Sequence, residues 1–274
     1  MTINCKGTLV DLSTPKVMGI LNITPNSFYD GGKYKNEVEI LSQVEKMLQE
    51  AADIIDIGAY SSKPNADFVS EKEEISRIIP VVDLVMQHFP ETYISIDTFR
   101  SEVAKASIES GAAIINDISA GKLDHKMFEI IGKYNVPYIM MHMRGNPLTM
   151  QSMTNYEDIV KEILFYFSER VAQARTFGIN DIIVDPGFGF AKTLDQNYEV
   201  LKKIELFKML ELPLLAGVSR KSMIYKMTNG TSESALNGTT VLNTVALTKG
   251  AKILRVHDVK EAVECVILYN KINS

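Results

Sequence analysis

Short apolar runs recur along the chain, each followed by a polar turn and then by a stretch with apolar residues three and four positions apart. The runs are "KVMGILN" (16–22), "DIIDIG" (53–58), "YISID" (93–97), "IINDIS" (114–119), "PYIMMH" (137–142), "DIIVDPG" (181–187), "LLAGVSR" (214–220) and "ILRVHD" (253–258). They are nearly continuous in apolar residues instead of alternating, which predicts parallel strands covered on both faces. Segments 37–52, 71–89 and 156–178 carry the spacing of amphipathic helices, and the last stops at Gly178, a C′ glycine. Thr193 with Gln196 predicts a capping box at the start of another helix. Eight strands, each followed by a helix, predict an α/β fold of the (β/α)8 TIM-barrel type. An open doubly wound sheet is the alternative, but it needs no eighth strand. The opening residues "INCKGTLVDLS" predict a short N-terminal β-hairpin that plugs the bottom of the barrel. No linker or low-complexity tract divides the sequence, so residues 1–274 are expected to form one domain.

Composition narrows the possible partners. The chain is 46% hydrophobic and 23% charged, with a formal net charge of −5, which is ordinary for a globular protein. That charge excludes a nucleic-acid or anionic-membrane surface, both of which want clustered Lys and Arg. Cys5 and Cys265 lie near opposite ends with no metal-binding spacing, and the first residues carry no apolar leader. A reducing cytoplasm is the expected compartment. An anion must therefore be held by a local constellation of residues.

In such barrels the active site sits at the C-terminal ends of the strands. Those ends read Asn22, Asp56, Asp97, Asn116 with Asp117, His142, Asp185, Ser219 with Arg220, and Arg255 with His257. Any one of these, taken alone, reads as a helix or turn cap. Gathered on one rim, four Asp and two Asn make a mouth that hydrogen-bonds a polar ligand rich in donors. The run "DIIVDPGFGF" (181–190) sharpens the point, because a buried strand has no use for a terminal carboxylate followed by two glycines and two aromatic rings.

The runs "ILNITPNSFYDGG" (20–32), "IIDIGAYSSKP" (54–64), "DPGFGFAKT" (185–193), "SRKSMI" (219–224) and "RVHDV" (255–259) together resemble the dihydropteroate synthase family, from first strand to last. The resemblance implies condensation of 6-hydroxymethyl-7,8-dihydropterin diphosphate with 4-aminobenzoate, giving 7,8-dihydropteroate and pyrophosphate. It also implies Mg²⁺, a homodimer through residues 233–251, and a target for sulfonamides, which mimic 4-aminobenzoate. A buried helix in a monomer is the alternative for 233–251.

A carboxylate is the natural bidentate partner of the pterin 2-amino group and its neighbouring ring N–H, and Asp185 is the candidate. Asp97 and Asn116 resemble the other pterin-edge contacts. Lys221 is expected to donate to the 4-oxo group, and Arg255 to stack its flat guanidinium on the heterocycle. Asp97, Asp185, Lys221 and Arg255 are thus the expected catalytic set. Asn22, Arg255 and His257 resemble the diphosphate contacts, with Asn22 also the Mg²⁺ contact. Ser62, Lys63, Pro64, Phe190 and Ser222 are expected on the 4-aminobenzoate side, with the carboxylate at the helix start after Lys221.

The loops 22–36 and 59–70 are expected to act as lids that exclude water. They also hold the departures from the family pattern: Asn26 stands where Asp is usual, and Ala59, Tyr60, Ser62 and Lys63 replace Gly, Glu, Thr and Arg. Lys63 keeps the charge without the bidentate fork. Asp56 is expected in a loop hydrogen-bond network, His142 behind the ligand-contacting residues, His88 and His125 in surface or capping roles, and the Met-rich runs "YIMMHM" and "KMLEL" in the core. Methyl transfer from a reduced folate and non-catalytic pterin binding are the competing functions. Neither needs a diphosphate site built from Asn22, Lys221, Arg255 and His257.

Overall fold

A computed structural model of the chain describes residues 1–23, 33–60 and 69–274, with residues 33–36 described by backbone alone. The antiparallel hairpin β1 (Thr2–Cys5) and β2 (Thr8–Asp11) comes first. It is followed by β3 (Lys16–Asn22), β4 (Ile54–Gly58), β5 (Tyr93–Asp97), β6 (Ile114–Asp117), β7 (Tyr138–Met141), β8 (Ile182–Asp185), β9 (Leu215–Ala216) and β10 (Ile253–Val256). These eight pair in parallel in the order β8-β7-β6-β5-β4-β3-β10-β9. A parallel bridge from Val184 to Leu214 joins the two ends and closes the barrel. β9 is shorter than the sequence run suggested, because the chain turns at Ser219–Lys221 with Arg220 at φ +54°.

Among the described residues the helices are α1 (Lys33–Gln49), α2 (Glu71–His88), α3 (Ser101–Glu109), α4 (Met127–Tyr134), α5 (Ile159–Thr176), α6 (Leu194–Lys202), α7 (Ser222–Tyr225), α8 (Leu236–Thr248) and α9 (Val259–Asn273). Local chemistry sets their ends. Asp158 accepts from the Lys161 N–H at the start of α5, and Gly178 follows its end at φ +79°. Thr193 and Gln196 form the expected reciprocal capping box of α6. The 3-10 helix Ile204–Leu210 departs from expectation: three residues per turn bury Ile204 and Phe207, while Met209 points to solvent.

Strand parity places the chemistry. Residues of one parity, such as Ile55, Ile57, Ile94, Ile96, Ile115 and Val184, join the cluster that also takes in helix residues such as Val82, Val103 and Phe167. The other parity faces the barrel interior. Its floor is Met18, Ile54, Ile114, Ile139, Ile183, Leu215 and Ile253, sealed by Ile3, Cys5 and Leu12 from the hairpin segment, so the predicted plug is present. Two residues further along four of these strands the same face presents Asp56, Asn116, Asp185 and Arg255, with Asp97 in the equivalent position two beyond Ser95. One layer of the interior is therefore apolar and the next is ionic.

Candidate active site

The ionic layer is a connected network. The Arg255 guanidinium donates from Nε to Asp56 Oδ2 at 2.6 Å and from Nη2 to Asp97 Oδ2 at 2.7 Å. Asn116 Nδ2 donates to the same Asp56 oxygen at 3.2 Å. Asp56 is fully buried, and its second oxygen has no protein partner among the described residues. The expectation of Asp56 in a loop network is thereby corrected. Its place two residues above Ile54 turns it into the barrel, where it holds Arg255 from beneath.

Gly58 gives Asp97 its room, since a Cβ there would lie 3.3 Å from Asp97 Cβ. Loss of solvent pushes the Asp97 carboxyl up to about 7; Arg255 pulls it down and Asp56, Glu74 and Asp117 push it further.

Asp185 is 5% exposed at the end of β8 and accepts the Gly187 N–H on Oδ1 at 2.8 Å. Burial raises its carboxyl above the ordinary range, opposed chiefly by Lys221. Gly187 is required where it stands: at φ +71°, a Cβ would meet the His142 carbonyl oxygen at 2.2 Å. Lys221 donates to the Phe188 carbonyl, and its Nζ sits 5.0 Å from the centre of the half-buried Phe190 ring. Burial draws the Lys221 ammonium down to about 8, with Asp185 holding it up.

Ser219 orients His257, its Oγ lying 3.0 Å from Nδ1 and accepting the His257 N–H at 3.1 Å. Asn22 is exposed at the end of β3. Ser222 opens α7, a helix of four residues, beside a cavity of about 450 Å³ lined also by Gln151, Gly189, Asn197, Tyr225 and Lys226. Ser62, Lys63 and Pro64, with Asn26, lie outside the described residues.

Arg220, one of the polar strand-end residues, is engaged within the fold. Its fork grips Asp258 at 2.9 and 2.7 Å and also reaches the Ser232 and Glu233 carbonyls. Asp117 has outward parity and organises the loop after β6, accepting from Ser119, Gly121 and Tyr138. His88 is an exposed helical residue against the Leu84 carbonyl, and His125 lies in the turn before α4.

Two buried groups had no signal in the sequence pattern. Glu74, fully buried on α2, accepts from Thr98 at 2.7 Å and Arg100 at 2.5 Å. Arg100 in turn donates to the Val69 carbonyl at 2.7 Å and lies over the Tyr60 ring, so one guanidinium ties the residues on either side of segment 61–68. The other is Lys192, buried directly behind the "DPGFGF" loop.

A closed barrel with a carboxylate–amide–guanidinium layer above its floor defines a class of enzyme that grips a flat, donor-rich heterocycle. The family of pterin binding enzymes matches residues 18–257. The chain is 42% identical to dihydropteroate synthase of Escherichia coli (strain K12) over 268 residues, covering 97% of this chain and 94% of the relative. Its fold superposes on the Yersinia pestis dihydropteroate synthase in complex with a sulfonamide drug at a TM-score of 0.93 and 39% identity, covering 100% and 99% of the two chains. The Xanthomonas albilineans dihydropteroate synthase with 4-aminobenzoic acid gives 0.92 at 33% identity, covering 100% and 98%. The chain belongs to the dihydropteroate synthases, transferases of folate synthesis.

Proposed function

We propose that the ionic layer is the pterin pocket and that each of its groups has a separate task in the transfer. The observation that carries this reading is the gathering of Asp97, Asn116, Asp185 and Arg255 in one layer above a sealed apolar floor, with Lys221 bonded to the loop that follows Asp185. Asp185 accepts from the 2-amino group and adjacent ring N–H of the dihydropterin. Asn116 and Asp97 complete the polar edge, and Lys221 exchanges the Phe188 carbonyl for the 4-oxo oxygen and a ring nitrogen. Arg255, held by Asp56 and Asp97, offers the face of its guanidinium to the ring.

The bond from the methylene carbon to the diphosphate oxygen breaks first, and its electron pair leaves with the diphosphate. The electron-rich dihydropterin bears the resulting positive charge, favoured by the Asp97 and Asp185 carboxylates. The neutral amine of 4-aminobenzoate then forms the new C–N bond and releases a proton. Phe190 lines its path, Ser222 meets its carboxylate, and Ser62, Lys63 and Pro64 belong to the same side.

Asn22 and His257 face the diphosphate. Mg²⁺ binds through few protein ligands, keeping waters and substrate oxygens, so the exposed Asn22 amide fits as a contact. When bound, the ion neutralises charge on the leaving group. Purified protein with both substrates should form dihydropteroate and pyrophosphate in an Mg²⁺-dependent manner. Absence of product with intact pterin binding would sink the synthase reading in favour of a non-catalytic binder.

The pH dependence of kcat/KM for the pterin substrate should be bell-shaped around neutral pH. Activity needs Asp97 as carboxylate, so it falls as pH drops below about 7. It needs Lys221 as ammonium, so it falls as pH rises past about 8. A flat profile from pH 6 to 9 would contradict the assignment.

The enzyme acts as a cytoplasmic homodimer, one domain per chain, through α8 and α9. These helices pack together and expose Val241, Ile267 and Leu268, an apolar surface suited to a second copy. Light scattering should report a dimer, and Val241→Asp with Leu268→Asp should yield monomer.

A further inference from the structure

The loop that follows β8 is shaped by a residue on its far side from the pocket. Its backbone adopts positive φ at Gly187 (+71°), Gly189 (+82°) and Ala191 (+49°). The Phe190 N–H returns to the Gly187 carbonyl at 3.1 Å, making residues 187–190 a tight turn. Lys192 then folds back beneath this turn and is only 5% exposed. Its Nζ lies 2.9 Å from the Gly187 carbonyl oxygen, 3.0 Å from that of Phe190 and 3.1 Å from His142 Nδ1.

Burial keeps the His142 ring neutral, and with its proton on Nε2 the three acceptors around one nitrogen match the three N–H donors of an ammonium. Two of them are the first and last carbonyls of the turn, so the ammonium pinches its ends together. The ligand-facing side of the same turn carries the Gly187 N–H that holds Asp185, the Phe188 carbonyl that receives Lys221, and the Phe190 ring beside Lys221. Two further bonds share in setting this shape: the buried Asn197 accepts the Gly189 N–H at 2.7 Å and Tyr156 donates to the Ala191 carbonyl at 2.9 Å. A burial this complete for a lysine is uncommon and is expected to be offset by partners.

We propose that Lys192 is a positioning residue of the transfer: its ammonium clasps the 187–190 turn so that Asp185 and Lys221 meet the pterin, and Phe190 the benzoate, in reactive register. The clasp deepens the pterin-site reading and rests on it. The groups facing Lys192 are His142, Asp185, Lys221 and Arg144. Loss of solvent lowers the Lys192 ammonium to about 7, against the pull of Asp185. A neutral amine has two N–H donors for three acceptors and no charge to strengthen them, so losing the proton loosens the clasp on the turn. This loss sets in at about 7, before the one at Lys221 at about 8, so the alkaline limb of kcat/KM should begin near pH 7 and steepen to two protons past pH 8.

The test uses Lys192→Met and Lys192→Arg, with steady-state kinetics, calorimetry of the pterin substrate and thermal unfolding. A misplacement of about 1 Å in a reacting geometry costs on the order of a hundredfold, so Lys192→Met, folded and cooperative, should lose roughly that much in kcat/KM, with kcat falling as well as KM rising. Lys192→Arg keeps a cation that does not titrate in this range, so it should retain much of the activity and show a one-proton alkaline limb. Should Lys192→Met fail to fold, that limb in Lys192→Arg decides the matter. Kinetic constants within twofold of wild type in a folded Lys192→Met, or a two-proton limb in Lys192→Arg, would overturn the clasp. An inactive wild type would instead sink the synthase reading, which separates the two failures.

Discussion

Asp185→Asn is expected to lower kcat/KM for the dihydropterin diphosphate by several hundredfold while leaving the fold intact. The carboxylate offers acceptors to a paired amino group and ring N–H. The amide offers one acceptor and confronts the second donor with its own NH₂. A hydrogen bond to a charged group contributes about 1.5–3 kcal/mol, and an opposed donor pair in a dry site costs a further 1–3 kcal/mol or so. Together these amount to about 2.5–6 kcal/mol, on the order of a hundredfold to ten-thousandfold, which brackets the expected loss. The structural role of the side chain is preserved, because the amide oxygen can still accept the Gly187 N–H that Asp185 Oδ1 takes at 2.8 Å. Removing a buried negative charge also relieves the burial that raises its carboxyl. The melting temperature should therefore stay near wild type or rise. Kinetics with calorimetry of the pterin substrate would check this, and a loss below fivefold would remove Asp185 from the pterin contact.

The contrast between Asp185 and Lys192 explains what could be read from the residues alone. Parallel strands announce themselves through apolar runs, and a polar residue that ends such a run lies at the rim by construction, so the places of Asp97 and Asp185 were legible. Asn116 and Arg255, which interrupt their runs, were singled out by the family resemblance. Asp56 was misread because it interrupts its run instead of ending it. Parity with Ile54, two positions back, was the usable signal, and it turns the carboxylate inward beneath Arg255. Lys192 gave no signal. A lysine after a loop reads as solvated by default, and only the positive-φ path through Gly187, Gly189 and Ala191 brings it under the turn. Glu74 was hidden for a related reason. It sits among the acidic residues of the first turn of α2, a place where carboxylates usually favour the helix dipole from solvent. Its burial depends on Thr98 and Arg100 from a different strand end, a contact that no local pattern encodes. Arg220 shows the converse: a polar strand-end position that read as part of the rim is used to lock the loop after β9 onto Asp258.

Arg255→Met should damage stability as well as activity, and its pH dependence distinguishes the two. The guanidinium is the cation shared by Asp56, which is fully buried, and Asp97, which is one-fifth exposed. Removing one partner from a buried ion pair costs about 3–5 kcal/mol, because the charges left behind lose both solvent and counterion. Asp97 carries the pH signal. Its folded carboxyl, at about 7, lies above the unfolded value near 4. The folded state therefore holds a proton that the unfolded state has released, and the stability present below about pH 4 is lost as pH rises to about 7. Without Arg255 the main force holding that carboxyl down disappears, so the loss extends to higher pH. The stability deficit of Arg255→Met relative to wild type should thus be greatest near pH 8 and smaller near pH 5, where Asp97 is protonated in both proteins. Chemical denaturation at the two pH values measures this directly. Activity, by contrast, should be lost at both, since the ring face and the leaving-group contact go with the guanidinium. A deficit that is equal at pH 5 and pH 8 would mean that Arg255 supports the barrel through packing of its stem alone, and that the charge network above the floor exists for the substrate and not for the fold.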